Sequence, residues 1–236
     1  SIVTSRIPVY LPDSIKLCAF DEDNQKQYVK RTDRATRQQG TLIMNRKPFG
    51  KVDVIFENAE PSDIISEQSK FGDTLVFWFK NEALAIDSLQ ALITYSQQDS
   101  LEHLRVETDT ILFAYHAARF RGKPVVDADT LLTINCKPGN NALVHPDQKL
   151  LLQTNLPVQM LVDSLIGLYS LVDSIEKPQL FSLERDSLSP RCFYLSCKWV
   201  PETSYLLKLK KGAMVSSLGV LSDSLQNHFS VPSTEQ

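Results

Sequence analysis

The stretch Asn155–Glu176, NLPVQMLVDSLIGLYSLVDSIE, is the longest run in which apolar residues recur regularly, and its period decides the fold class. Met160, Leu161, Leu165, Leu168, Val172 and Ile175 fall at helical spacing, with Asp163, Ser170, Asp173 and Glu176 mostly on other faces. The spacing predicts an amphipathic helix over 157–176 that buries Leu161, Leu165, Leu168 and Val172. Asn155 is placed to cap it, and Pro157 loses only an N–H that the first turn leaves unpaired. Pro178 then excludes Lys177 from helical geometry. Gly167 inside the run costs about 1 kcal/mol against alanine unless a neighbour packs close to it.

Working outward, Asn81–Gln97 reads the same way. Ala85, Ile86, Leu89, Leu92 and Ile93 share a helical face, with Asn81 as N-cap and Glu82 in the first turn, so a second amphipathic helix is expected over 82–97. Elsewhere the period is two. Ile7, Val9 and Leu11 alternate, then Ile15, Leu17 and Ala19, then Leu42 and Met44, then Val52, Val54 and Phe56. Pro8 and Pro12 make the first of these runs an edge strand or an extended arm, because proline cannot donate to a ladder. Leu75–Phe79 is apolar on both faces and reads as a central strand. Val106–Gly122 reads as a strand on its β-branched and aromatic content, and Val125–Cys136 as another. Phe193, Leu195, Cys197 and Trp199 alternate, Pro201-Glu202 turns, and Tyr205, Leu207 and Leu209 alternate back, which predicts a hairpin.

These elements give a β-rich α+β fold, with mainly antiparallel sheets or a β-sandwich covered by the two helices. The helices sit in different halves. The expected organisation is therefore an N-terminal β-rich unit over 1–122, a C-terminal one over 123–225 and a mobile tail over 226–236, with a single continuous body as the alternative. No internal repeat or Pro/Gly/Ser linker separates the halves.

The 236 residues carry 42% hydrophobic and 22% charged side chains, the composition of a folded chain rather than a disordered one. There is no uncharged apolar run of membrane-spanning length. Four cysteines are too sparse for a disulfide scaffold, which points to a reducing compartment such as the cytoplasm. Phosphate loops, dinucleotide glycine fingerprints, zinc-protease helices and nucleophile elbows are absent from the sequence. Neither a cofactor nor a metal site is expected: His103, His116, His145 and His228 stand at no metal-ligand spacing. Cys136 with His116 or His145 forms a conceivable thiol and base, but a cysteine ending an apolar strand is more simply a small buried hydrophobe. Asp127 and Asp129 are a spaced carboxylate pair that an acidic turn explains as well.

Charge is distributed less evenly than the motifs. Between Lys26 and Lys51 eight basic residues face the single acid Asp33, a local charge of +7 in a chain of −3. Lys30, Arg31, Arg34, Arg37, Arg46 and Lys47 are thus the candidate residues for a nucleic acid or another anion. An ordinary solvated basic loop is the commoner explanation of such a cluster. The leading expectation is a non-enzymatic interaction or assembly protein that self-associates or binds another protein. Nucleic-acid or anion binding through 26–51 is the alternative, and an enzyme site assembled from distant residues the second.

Overall fold

The computed structural model describes residues 26–98, 103–116, 119–120, 123–124, 131–172 and 175–233. The alternating runs at Ile7–Leu11 and Ile15–Ala19, and the pair Asp127 and Asp129, lie outside these residues.

The N-terminal sheets come from β1 (Val29–Thr36), β2 (Gln39–Met44), β3 (Asp53–Phe56), β4 (Ile64–Gln68), β5 (Thr74–Phe79), β6 (Ser88–Gln98) and β7 (Leu104–Ala114). One sheet has the order β1-β2-β5-β4 and the other β3-β6-β7, with every pairing antiparallel. Alternation explains how they face each other. Leu42, Met44, Phe77 and Phe79 from the first sheet meet Phe56, Leu89, Ile93 and Phe113 from the second in one buried cluster.

After the two-residue pair β8 (Arg119–Phe120) and β9 (Lys123–Pro124), the chain builds a second set. This comprises β10 (Ile134–Lys137), β11 (Ala142–Leu143), β12 (Leu150–Thr154), β13 (Val158–Leu161), β14 (Ile166–Val172), β15 (Ile175–Pro178), β16 (Phe181–Arg185), β17 (Cys192–Cys197), β18 (Ser204–Leu209), β19 (Met214–Ser216) and β20 (Leu225–Ser230). The sheet β10-β12-β17-β16 and the sheet β11-β20-β18-β14-β15 enclose a second cluster that includes Leu152, Phe193, Leu195, Leu168, Leu207 and Phe229. Only the short β11–β20 contact is parallel among the paired strands described.

This all-β architecture corrects the α+β expectation. The described helical segments are 3-10 turns of three residues. Over 157–176 the structure has β13, a turn at Asp163–Leu165, and then β14 and the start of β15. Ile166, Leu168 and Ser170 are buried at period two, Leu161 and Leu165 are half-buried, and Val172 is 41% exposed. A helix would have buried Val172 and turned Ile166 away. Gly167 does meet a close neighbour: a Cβ there would lie 2.7 Å from the Tyr169 ring.

The helix expected over 82–97 fails differently. Asn81 caps as expected, its side chain accepting from Ala83 N at 3.0 Å, but the turn it starts ends at Leu84. Leu89, Ala91, Ile93 and Tyr95 then alternate inward along β6, which pairs with β7 over eleven residues. A ladder that long, with a buried face, outweighs the helix propensity of the alanines and leucines.

The hairpin of 191–200 with 205–211 is also corrected. Burial follows the expected alternation, since Phe193, Leu195, Trp199, Leu207 and Leu209 are all buried. The two arms are not partners. β17 pairs with β12 and β16, whereas β18 pairs with β14 and β20, so Lys198–Thr203 is a corner between sheets. Tyr205 fixes that corner, its hydroxyl accepting from Val200 N at 2.9 Å while Trp199 meets its ring edge-on at 4.9 Å. Residues 226–230, placed in a tail by their polarity, belong to β20, where Asn227 and Phe229 are buried.

β5 links the two clusters. Phe77 and Phe79 enter the first and Trp78, on the opposite face, enters the second with Ile65 and Val76. Beside Trp78, Glu67 accepts from Ser189 Oγ at 2.6 Å and from Arg191 Nε at 2.7 Å, and the Arg191 guanidinium lies 5.1 Å from the Trp78 ring centre.

Candidate interaction surfaces

The basic segment 26–51 folds as the β1–β2 hairpin and the loop after it, and this geometry separates its charges. A register shift between Val29 and Arg31 leaves Lys30 and Arg31 both exposed. Arg34 points the other way and is 3% exposed. Its Nη2 donates to the carbonyls of Arg37 and Leu84, and its guanidinium lies 5.4 Å from the Phe79 ring centre. Burial lowers its pKa, with Asp87 opposing and Arg37 adding to the shift. Arg37 pairs with Asp87 at 2.8 Å and lies over Tyr115. The loop holds the rest: Arg46 is half-buried, Lys47 packs its stem against Gly72, and Lys51 pairs with Asp53 at 2.6 Å. Of the six candidates, Lys30 and Arg31 share an exposed bulge, while Arg34 and Arg37 are engaged in holding β1 to its neighbours.

Replacing Arg34 by alanine strands the buried Leu84 carbonyl and the part-buried Arg37 carbonyl and removes the packing on Phe79. The expected loss is about 2–4 kcal/mol in urea denaturation, against less than about 0.5 kcal/mol for Arg31→Ala. Equal effects would contradict the two placements.

The Cys136 thiol is buried, and burial raises its pKa to about 11 against the opposing hydrogen bond with Asn227. At neutral pH it is a thiol and not a thiolate nucleophile. His116 and His145 are both exposed. Among the described residues no three His, Cys, Asp or Glu side chains cluster as metal ligands, and no helix is long and apolar enough to cross a membrane.

Two surfaces that the sequence reading did not single out emerge from strand pairing. The first is β7. Its inner half is covered: Phe113 is fully buried, and Thr32 Oγ1 of β1 donates to Leu112 O at 2.8 Å. Its outer half, Leu104–Thr110, is exposed on both faces, and β7 is the last strand of the β3-β6-β7 sheet among the described residues. On the outward face β7 presents Leu104, Val106, Thr108, Thr110, Leu112 and Ala114, opposite serines, glutamines, Leu92 and Thr94 of β6. No charge interrupts that two-stranded face. Arg105, Glu107 and Asp109 alternate on the other side, where Tyr95 donates to Asp109 Oδ2 at 2.8 Å. The second surface is a cleft of about 460 Å³ between β3 and β4, lined by apolar side chains together with Lys51, Asp53 and Ser66.

The Tyr95 contact has a measurable signature. Burial, then the hydrogen bond to Asp109 and the charges of Asp109 and Glu107, push the phenol from 10.0 up to about 12. The folded chain therefore holds this proton more tightly than the unfolded chain. The resulting stability is complete below about pH 10 and is lost as pH rises through about 12. Phenolate absorbance should show a tyrosine titrating near that upper value, absent in Tyr95→Phe; identical titrations would contradict the contact.

No family model matches the chain, and no curated protein matches it. Among solved structures it is similar to a chimeric titin Z1Z2 functionalized with a KLER exogenous peptide from decorin, at 10% identity over 90% of this chain and 98% of that chain, with a TM-score of 0.26. It is also similar to a titin A168–A169 structure, at 8% identity over 87% of this chain and 98% of that chain, with a TM-score of 0.23. At such scores neither likeness carries an argument about this chain.

Proposed function

We propose that this chain is a non-enzymatic interaction and assembly protein that associates with copies of itself through the outer half of β7. The observation that supports this reading is the exposed outer strand at Leu104–Thr110, which has no second ladder partner among the described residues and lies next to an uncharged face, in a chain with 22% charged residues. Unpaired N–H and C=O groups at a sheet edge template pairing with another chain unless charges, proline or a covering loop blunt it, and here the charges Arg105, Glu107 and Asp109 are confined to one face of the strand.

Charge selects a second copy as the partner. Two β7 strands paired antiparallel about Val106 set each Arg105 opposite Glu107 of the other copy, with Leu104 opposite Thr108. Opposite charges across a ladder stabilise it, and no like charges meet directly in this register. The two sheets then continue as one, joined by backbone hydrogen bonds and by apolar contacts that salt does not screen.

Sedimentation velocity tests this. The chain should still associate at about 1 M salt, weakened only by the screening of the exposed Arg105–Glu107 pairs. Val106→Lys, which places two ammonium groups together at the two-fold, should weaken association by about tenfold or more. A monomer at every accessible concentration, or unchanged association in Val106→Lys, would contradict the reading. Tight binding of RNA or DNA that collapses with salt would favour an anionic partner instead.

A further inference from the structure

The outward face of the β3-β6-β7 sheet reaches well beyond the strand at its edge. On it β6 turns out Ser88, Gln90, Leu92, Thr94, Ser96 and Gln98, and none of the β7 residues opposite them is charged. β3 continues the face with Ile55, which stands opposite Leu92 as Leu92 stands opposite Thr110. Ile55, Leu92 and Leu112 are all exposed, although each is large and apolar. Ile55, Gln90, Leu92 and Thr110 line a hollow of about 290 Å³ among them. The charges of this face stand at its border, where Asp53 at the start of β3 is paired with Lys51 and Glu57 follows the end of β3. An uncharged middle with its charges at the rim is the composition of a protein–protein contact surface.

We propose that this face packs against the same face of another β7-joined pair, so that two pairs of the chain close into a tetramer. The proposal rests on the β7 reading and adds a second interface to it. Where two β7 strands pair antiparallel, directly opposite residues point to the same side of the joined sheet. The uncharged face of one copy therefore continues into that of the other across Leu104 and Val106, both exposed.

Area sets the order of assembly. The eleven residues each of β6 and β7 offer a face roughly 10 Å wide and roughly 37 Å long, which the four residues of β3 widen at one end. Two single copies packed face to face would bury on the order of 900 Å² in total, below the roughly 1,200 Å² at which stable interfaces begin. The joined face is twice as large, so two pairs bury on the order of 1,800 Å², within the standard range. The face is thus too small for a lone chain and large enough for a pair. A second pair also fits its chemistry. The surface has no fixed charge in its middle to select an anion, and like faces meet there without repulsion about a two-fold axis, which closes the assembly.

Sedimentation velocity of the full chain over a concentration series separates the two interfaces. The parent should pass from pairs to tetramers. Leu92→Lys, on β6 and away from the β7 seam, should leave the pairs and weaken tetramer formation by about tenfold or more, because it puts an ammonium group into the face-to-face contact. Gln90→Lys, at an exposed position of the same strand, should do so without disturbing the fold. Leu180→Lys, exposed between β15 and β16, should change neither step. Val106→Lys should lose the tetramers together with the pairs. A parent that stays paired at every concentration overturns the proposal and leaves the β7 reading standing, as do tetramers that both β6 lysines leave intact. Tetramers lost equally in Leu180→Lys also overturn it, by assigning the contact elsewhere. A parent that stays monomeric overturns both readings.

Discussion

Glu67→Ala is expected to lower the unfolding free energy by about 3–5 kcal/mol, far more than a surface ion pair is worth. The Glu67 side chain is 11% exposed and that of Arg191 24%, so removing the carboxylate leaves a guanidinium and a hydroxyl without their acceptor in a mostly dry junction. Arg191 is further constrained by the Trp78 ring beneath it. Because the contact joins β4 to the loop before β17, the loss should loosen both buried clusters. Urea denaturation of Glu67→Ala, Arg191→Ala and the double variant should give a coupling of about 1–3 kcal/mol. Additive losses, or a Glu67→Ala effect within about 0.5 kcal/mol, would mean that the pair is only peripheral.

Phe113→Ala should cost a similar amount, about 3–5 kcal/mol, by a different route. The ring is fully buried, with centroids 5.3 Å from Phe56 and 6.2 Å from Phe77. Gly40 lies over it so closely that a Cβ there would stand 3.2 Å from Phe113 Cδ1. Truncation thus opens a cavity between two sheets that cannot collapse without moving β2. Phe113 also anchors the covered half of β7. A urea midpoint close to the parent would show that the two sheets are not held together there.

Two periods overlap in 157–176, so the spacing that predicts a helix is met by strands. Leu161 and Leu165 are four apart, which places them on one face of a helix and on one face of a strand alike. Only the odd step to Leu168 separates the two readings, and Ile166, Leu168 and Ser170 give the strand answer. In 82–97 the capping chemistry of Asn81 was legible and real, but the sequence carries no sign of how soon the turn ends. Around Trp199 the sequence gives the buried face of each arm correctly and says nothing about the partner, since alternation fixes orientation and not pairing.

The same distinction governs the surfaces. The Lys26–Lys51 charge is obvious in the sequence, yet Arg34 is buried because the carbonyls of Arg37 and Leu84, the latter fifty residues away in the chain, turn towards it. The β7 edge and the β3–β4 cleft leave no local signal at all. Whether Leu104–Thr110 is a central strand or a free edge depends on what lies beside it, and that is a property of topology.

Hydrogen exchange at the amides of residues 104–110, followed as protein concentration rises, tests the assembly reading most directly, because it reports pairing at the proposed edge itself. Slower exchange there at high concentration, with the covered residues 111–114 unchanged and the same result in high salt, is the predicted outcome. Exchange at 104–110 that stays fast at every concentration would contradict it.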